Sequence, residues 1–132
     1  MDLPEPATHE YRFDAGVPPD LAAVRRWIRS VLAGASSEGL EDALLLATEL
    51  VANAQDHAQG VRALRIRCRG PRSAVRLEID DARPDLAVRL GGSSSDEDRG
   101  RGLLLVDAVS RRWGVVTHDN VYKTVWADLA AC

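Results

Sequence analysis

Lysine is almost missing from this chain: of 17 basic residues in 132, Lys123 alone is not arginine. That bias points to coding as readily as to function. Cysteine is nearly as scarce, with Cys68 and Cys132 the two present, too few for a disulfide framework or a cysteine metal cluster. The expectation is a reduced, cytosolic protein. No apolar run approaches the roughly 20 residues needed to span a bilayer, and the N-terminus lacks a basic stretch followed by an apolar signal segment. A net charge of -3 gives no general electrostatic reason to bind nucleic acid or an anionic membrane, while leaving room for local arginine clusters. No internal repeat is present, and 132 residues suit one domain, large enough to pack a helix layer on a sheet.

Residues 1 to 8, with Pro4 and Pro6, read as a loose leader before a single domain over 9 to 132. Tyr11 and Phe13, with His9, alternate with polar neighbours in a short strand ending near Gly16. Pro18 and Pro19 introduce a helix, in which Leu21, Val24, Trp27, Ile28, Val31 and Leu32 recur on one face. Arg25, Arg26 and Arg29 fall on the other side, as a solvated face or a meeting point for an acidic partner. Gly34 to Gly39 breaks that helix. A second helix is expected from about Gly39 to Gln59, with Leu40, Ala43, Leu44, Ala47, Val51 and Ala54 as its apolar stripe.

Leu64, Ile66 and Cys68 alternate inward in a strand over 61–69, and Val75, Leu77 and Ile79 do the same over 74–81. Gly70-Pro71-Arg72-Ser73 forms the turn between them. A third helix over 102–111 precedes strands at 113–117 and 121–129, joined by His118-Asp119-Asn120. Five strands with three helices give an α+β fold, a two-layer α/β sandwich with a mainly antiparallel sheet covered by helices.

Three places carry chemistry. Glu49 and Asn53 lie one helical turn apart, opposite the apolar stripe but beside Leu45 and Leu46, as expected of a helix with its back in the core and its front on a pocket. A carboxylate and a carboxamide so placed suit a hard divalent cation and its waters. Asp80-Asp81 ends a strand, and which of the two faces the helices depends on the strand register. Gly100-Arg101-Gly102-Leu103 opens the third helix, where backbone N–H groups unobstructed by side chains can approach phosphate oxygens. Trp27, Trp113 and Trp126 read as core or interface anchors, and His57 as a structural residue at the helix end.

Glu49-Leu50-Val51-Ala52-Asn53-Ala54-Gln55-Asp56-His57-Ala58, Asp81, Gly100-Arg101-Gly102-Leu103-Leu104-Leu105-Val106, Arg112-Trp113-Gly114-Val115 and Lys123-Thr124-Val125-Trp126-Ala127 together resemble the histidine-kinase-like ATPase superfamily, over roughly residues 9 to 129. More narrowly, the set resembles bacterial anti-sigma regulatory factors of the serine/threonine kinase type. The resemblance implies the Bergerat version of the sandwich, with ATP and Mg2+ as ligands. It implies that Asn53 coordinates the magnesium and that Glu49 activates the attacking hydroxyl. It makes Asp81 the acceptor for the adenine amino group and Thr124 a hydroxyl supporting the same base. Gly100, Arg101, Gly102 and Leu103 match the phosphate-facing segment. It further implies a sigma factor and an anti-sigma antagonist protein as partners, no direct contact with nucleic acid or membrane, and a homodimer formed through the N-terminal strand.

One departure stands out. The superfamily commonly follows its adenine-contacting aspartate with Asp-x-Gly-x-Gly, whereas this chain reads Asp81-Ala82-Arg83-Pro84-Asp85. A non-catalytic partner-switching regulator of the same fold is the alternative that this loss raises. Ahead of the phosphate-facing glycines, Gly91-Gly92-Ser93-Ser94-Ser95-Asp96-Glu97-Asp98 reads as a lid that closes on nucleotide.

Overall fold

The computed structural model describes residues 7–14, 16–57, 60–68, 74–82 and 107–131. Strand β1 (Ala7–Arg12) is followed by helices α1 (Leu21–Val31) and α2 (Ser37–His57). Strands β2 (Val61–Cys68), β3 (Ala74–Asp81), β4 (Arg112–His118) and β5 (Tyr122–Ala131) complete the described elements. The strands form one sheet in the order β1-β2-β3-β5-β4, with every described pair antiparallel. Both helices pack on one face of it, giving the expected two-layer α+β sandwich.

The core follows from alternation in the strands meeting helical spacing above them. Leu64, Ile66, Val75, Leu77, Ile79, Val125, Ala127 and Leu129 point to the helices and are buried. From above, Val24, Ile28 and Leu32 of α1 and Ala43, Leu46, Ala47, Leu50 and Val51 of α2 close on them. Alanines on α2 let the helix approach the sheet closely, whereas Leu46 and Leu50 fill the remaining depth. The buried stripe is therefore rotated from the sequence expectation: Leu44 and Leu40 are half-buried at its edge, and Leu46 lies at its centre. Tyr11 and Phe13 join the core from β1, with the Tyr11 ring edge-on to Trp27 at 5.5 Å.

Helix starts are set by side-chain caps. Asp20 Oδ1 accepts from the Ala23 N–H at 3.1 Å to cap α1. Ser36 Oγ accepts from the Gly39 N–H at 3.0 Å, so α2 begins at Ser37 rather than Gly39. Strand β1 begins at Ala7, which pairs with Cys68, so ordered pairing reaches two residues into the stretch read as a leader. In the β4–β5 hairpin Asp119 and Asn120 both have positive φ, 50° and 57°, and the Val121 N–H donates to the His118 carbonyl at 2.8 Å. That is a type I′ turn, whose twist matches the strands it joins.

The reduced state expected of Cys68 is corrected: it is disulfide-bonded. Its partner lies outside the described residues. Scarcity misled here, because two cysteines are enough for a single bridge even when they cannot build a framework. Of the third helix expected over 102–111, 107–109 are helical, 110 and 111 are not, and 102–106 lie outside the described residues, as does the 91–99 segment. Among the described residues no helix is long and apolar enough to cross a membrane.

Candidate functional site

At its C-terminal end β3 turns two consecutive carboxylates to opposite faces of the sheet. Strand side chains alternate, so Asp81 continues the Val75, Leu77, Ile79 series toward the helices, and Asp80 continues Arg76 and Glu78 away from them. Both are buried. The register alternative left open by the sequence is thereby resolved: Asp81 is the carboxylate on the helix side.

Opposite Asp81 in the antiparallel register stands Lys123, the next inward position on β5 before Val125 and Ala127. Its ammonium lies 3.0 Å from Asp81 Oδ2, and each side chain is only 6% exposed. Removing either partner of a pair so far from water would leave the other without this compensation. A β-bulge at Val61/Ala63 shapes the same end of the sheet, where the Ala82 N–H donates to the Gly60 carbonyl at 3.3 Å and Gly60 holds φ at 113°. Positive φ of that kind favours glycine.

Thr124 does not share the face of Asp81, whereas the resemblance expects the two at one base, directly or through water. Its hydroxyl points away from the helices, donates to Asp80 Oδ1 at 2.7 Å and lies 2.9 Å from His118 Nε2. Since the hydroxyl proton goes to Asp80, the imidazole nitrogen is the donor to Thr124. Arg65 grips the same Asp80 carboxylate with two bonds of 2.6 Å. Burial pushes the Asp80 pKa up, but the Arg65 and Thr124 hydrogen bonds outweigh it and hold the carboxylate below its usual range.

A ladder of charges extends from there across the face away from the helices. Arg65 and Arg67 each donate to Glu78 Oε1 at 2.9 Å, and Arg65 also reaches Glu10 at 3.4 Å. Against the push of burial, these contacts lower the Glu78 pKa. Farther along, Arg76 and Arg112 both bind Asp128 while their guanidiniums lie 4.4 and 6.0 Å from the Trp126 ring centre. Trp126 is thus neither in the main core nor loose on the surface, but held between cations.

On the helix layer, Glu49 is half-buried and has no hydrogen-bond or ion-pair partner among the described residues. Asn53 follows one turn later within α2, its side chain outside the described set. Helix α2 crosses β3 and β5, the strands that carry Asp81 and Lys123. Gly100, Arg101, Gly102 and Leu103 lie outside the described residues, and among those described no group of three acidic, histidine or cysteine side chains could hold a metal. A metal site that uses Asn53 and phosphate oxygens would need no such group, because magnesium retains waters and takes few protein ligands.

Sequence reasoning missed Lys123, although the signal was present. Val125, Ala127 and Leu129 are the apolar members of β5, and the same period of two carries Lys123 to their side and Thr124 to the other. No curated protein matches the chain. The family model described as a histidine kinase-like ATPase domain matches residues 16–128. With nearly the whole described sandwich inside that match, the chain belongs to the histidine kinase-like ATPase domain family, a family of ATP-binding domains.

Proposed function

We propose that this protein is an ATP- and magnesium-binding anti-sigma regulatory factor that phosphorylates a serine or threonine on an anti-sigma antagonist protein. The observation that carries the reading is the buried Asp81 carboxylate on the helix-facing side of the sheet, with Glu49 and Asn53 one turn apart in the sequence of helix α2. Asn53 would hold the magnesium, and Gly100 to Leu103 would face the phosphates, a part of the reading that rests on the sequence. Magnesium, when bound, supplies positive charge against the phosphate oxygens. Glu49 would orient the substrate hydroxyl and accept its proton, a task suited to a half-buried carboxylate that no cation among the described residues holds. Asp81 would accept from the amino group of the base.

A sigma factor and an antagonist protein are the proposed partners, and the edge strand β1 is the proposed site of homodimer pairing. Edge strands leave one row of backbone groups available for such a contact. Incubating the protein with labelled ATP, magnesium and candidate antagonists tests the reading. Label should appear on the antagonist and vanish with Asn53→Ala; tight ATP binding with no transfer to any candidate would reject the kinase.

A second reading is favoured by the Asp81–Lys123 pair and by the absence of both glycines after Asp81. In it the fold switches partners without catalysis and holds nucleotide weakly or not at all. Calorimetry that finds neither ATP nor ADP bound at millimolar concentration, while a partner still binds, would select it.

A further inference from the structure

The sheet ends in two edge strands, β1 and β4, and they are guarded unequally. On β1 stand His9, Glu10 and Arg12, with Glu10 bound to Arg12 at 3.2 Å and to Arg65 at 3.4 Å. On β4 no charged residue and no proline occurs from Trp113 to Thr117, and the register with β5 runs unbroken from Arg112 to His118. Charges, prolines and bulges are what keep an edge strand from pairing with another chain, and this stretch of β4 has none of them. Among the described residues no strand pairs with its outer side. Val115, Val116 and Val121 are 40%, 46% and 59% exposed, and they make up three of the five large apolar side chains exposed among the described residues. A single exposed valine is ordinary, but three gathered on one hairpin mark a surface that is covered by something.

We propose that β4 pairs antiparallel with β4 of a second copy of this chain, about a twofold axis at Val115. The two sheets then continue into one, with the helices of both copies on the same side. This interface is separate from the pairing proposed at β1, since the two strands stand at opposite ends of the sheet, and it does not rest on the nucleotide reading.

The occupant follows from the strand's own sequence. Val115 is the middle of the seven residues Arg112–His118, so a twofold there pairs every residue of one strand with a residue of the other. Moving the axis by one residue leaves two residues of each strand unpaired. Directly opposed residues of an antiparallel pair share a face, and their side chains touch. On the helix side Val115 meets Val115 of the second copy, and Trp113 meets Thr117, a large side chain beside a small one. On the other side Val116 meets Gly114, where the Trp126 indole lies so close that a Cβ on Gly114 would come within 2.9 Å of it. Val116 of the second copy thus gains an aromatic ring to pack on rather than bare backbone. At the two ends Arg112 stands opposite His118, and each already has a partner in its own chain, Arg112 in Asp128 and His118 in Thr124. Between those ends the register sets no charge against another.

Light scattering and sedimentation of the unmodified protein, and of Val115→Lys, Val115→Glu and their equal mixture, decide the matter. The unmodified protein should associate with rising concentration between micromolar and millimolar. Each charged variant should keep the parent's melting temperature, because position 115 is exposed, and should weaken the association at least about tenfold, because the axis sets like charges directly opposite each other. Mixing the two variants sets lysine against glutamate and should restore association to within about threefold of the parent. Val116→Lys, on the other face, should weaken association as well and serves if either change at 115 impairs folding. A monomer at every concentration would overturn the proposal and leave the edge to an extended segment of a different protein. Association that the charged variants leave unchanged would overturn it too and assign the pairing to β1, and so would association lost in both variants but not regained on mixing, since only the Val115 twofold sets the two positions together.

Discussion

Thr124 gives its hydroxyl proton to Asp80 at 2.7 Å, while Lys123, one residue earlier on β5, and Asp81, one residue later on β3, form their own pair on the opposite face. Two acceptors and two donors, adjacent in sequence, are thus sorted by the pleat into separate networks. The first fastens β3, β5 and β2 together through Arg65; the second lies under the helices. Thr124→Val keeps the shape and removes the donor. It should destabilise the fold by about 1–3 kcal/mol, the cost of leaving a buried acceptor short of a partner. Nucleotide affinity should not change. Paired thermal melts and binding titrations check both halves, and a large loss of affinity at unchanged stability would return Thr124 to the nucleotide site.

Acid should unfold the protein through the face away from the helices. Hydrogen bonding from Arg76, opposed by burial and aided by Arg112, lowers the Asp128 pKa, and arginine contacts that outweigh burial lower those of Glu78 and Asp80. A carboxylate with a depressed folded pKa contributes stability that is present above its unfolded value, about 4, and lost as pH falls through the folded one. Asp42 works the other way: burial, with Glu38 and Glu41 nearby, raises its pKa, so its penalty at neutral pH is relieved on acidification. Three lowered groups outnumber one raised group. The melting temperature should hold from neutral pH to about 5 and drop below about 4. Asp128→Asn should lower stability at neutral pH and flatten the acid slope; an unchanged slope would place the acid sensitivity elsewhere.

The sheet was legible in the sequence where apolar residues alternate without interruption. Val75, Leu77 and Ile79 alternate cleanly, as do Leu64 and Ile66, and both strands fall where the pattern puts them. The start of α2 was not legible, because Gly34 to Gly39 reads as a breaker run and the Ser36 cap hides within it. At the end of β3, strand parity turns Asp81 toward the helices, and the same parity puts Thr124 on the other face from it. Motif matching tolerates a shift of one residue; a strand does not, since one step reverses the face. The charge ladder was invisible for a different reason. Arg65, Arg67, Arg76 and Arg112 are spread over 48 positions of sequence, and only the antiparallel register sets them opposite Glu78, Asp80 and Asp128.

Gly114 has a packing reason to be glycine. It lies opposite Trp126 in the β4–β5 register, and a Cβ there would come within 2.9 Å of the indole ring. The indole in turn sits against Arg76, so it cannot retreat without disturbing the cation above it. Gly114→Ala should cost about 1–3 kcal/mol by overpacking, despite the better strand propensity of alanine. Denaturant unfolding followed by tryptophan fluorescence would report both the loss and the altered ring environment. A variant as stable as the parent would show that Trp126 has room to move.

Glu49→Gln separates the chemical role of that carboxylate from a structural one. No ion pair or hydrogen bond to Glu49 exists among the described residues, so the amide should leave the unfolding free energy within about 0.5 kcal/mol of the parent's, the usual span for a change that breaks nothing. ATP affinity should also persist, because Glu49 is assigned to the hydroxyl of the protein substrate and not to the nucleotide. Phosphotransfer to the antagonist should fall about 10²- to 10⁴-fold, the range expected for loss of a positioned general base. Single-turnover transfer from bound ATP is the measurement to make, since it isolates the chemical step from partner exchange. Transfer at the parental rate would remove Glu49 from the chemistry and leave it as a half-buried helix carboxylate beside Leu45.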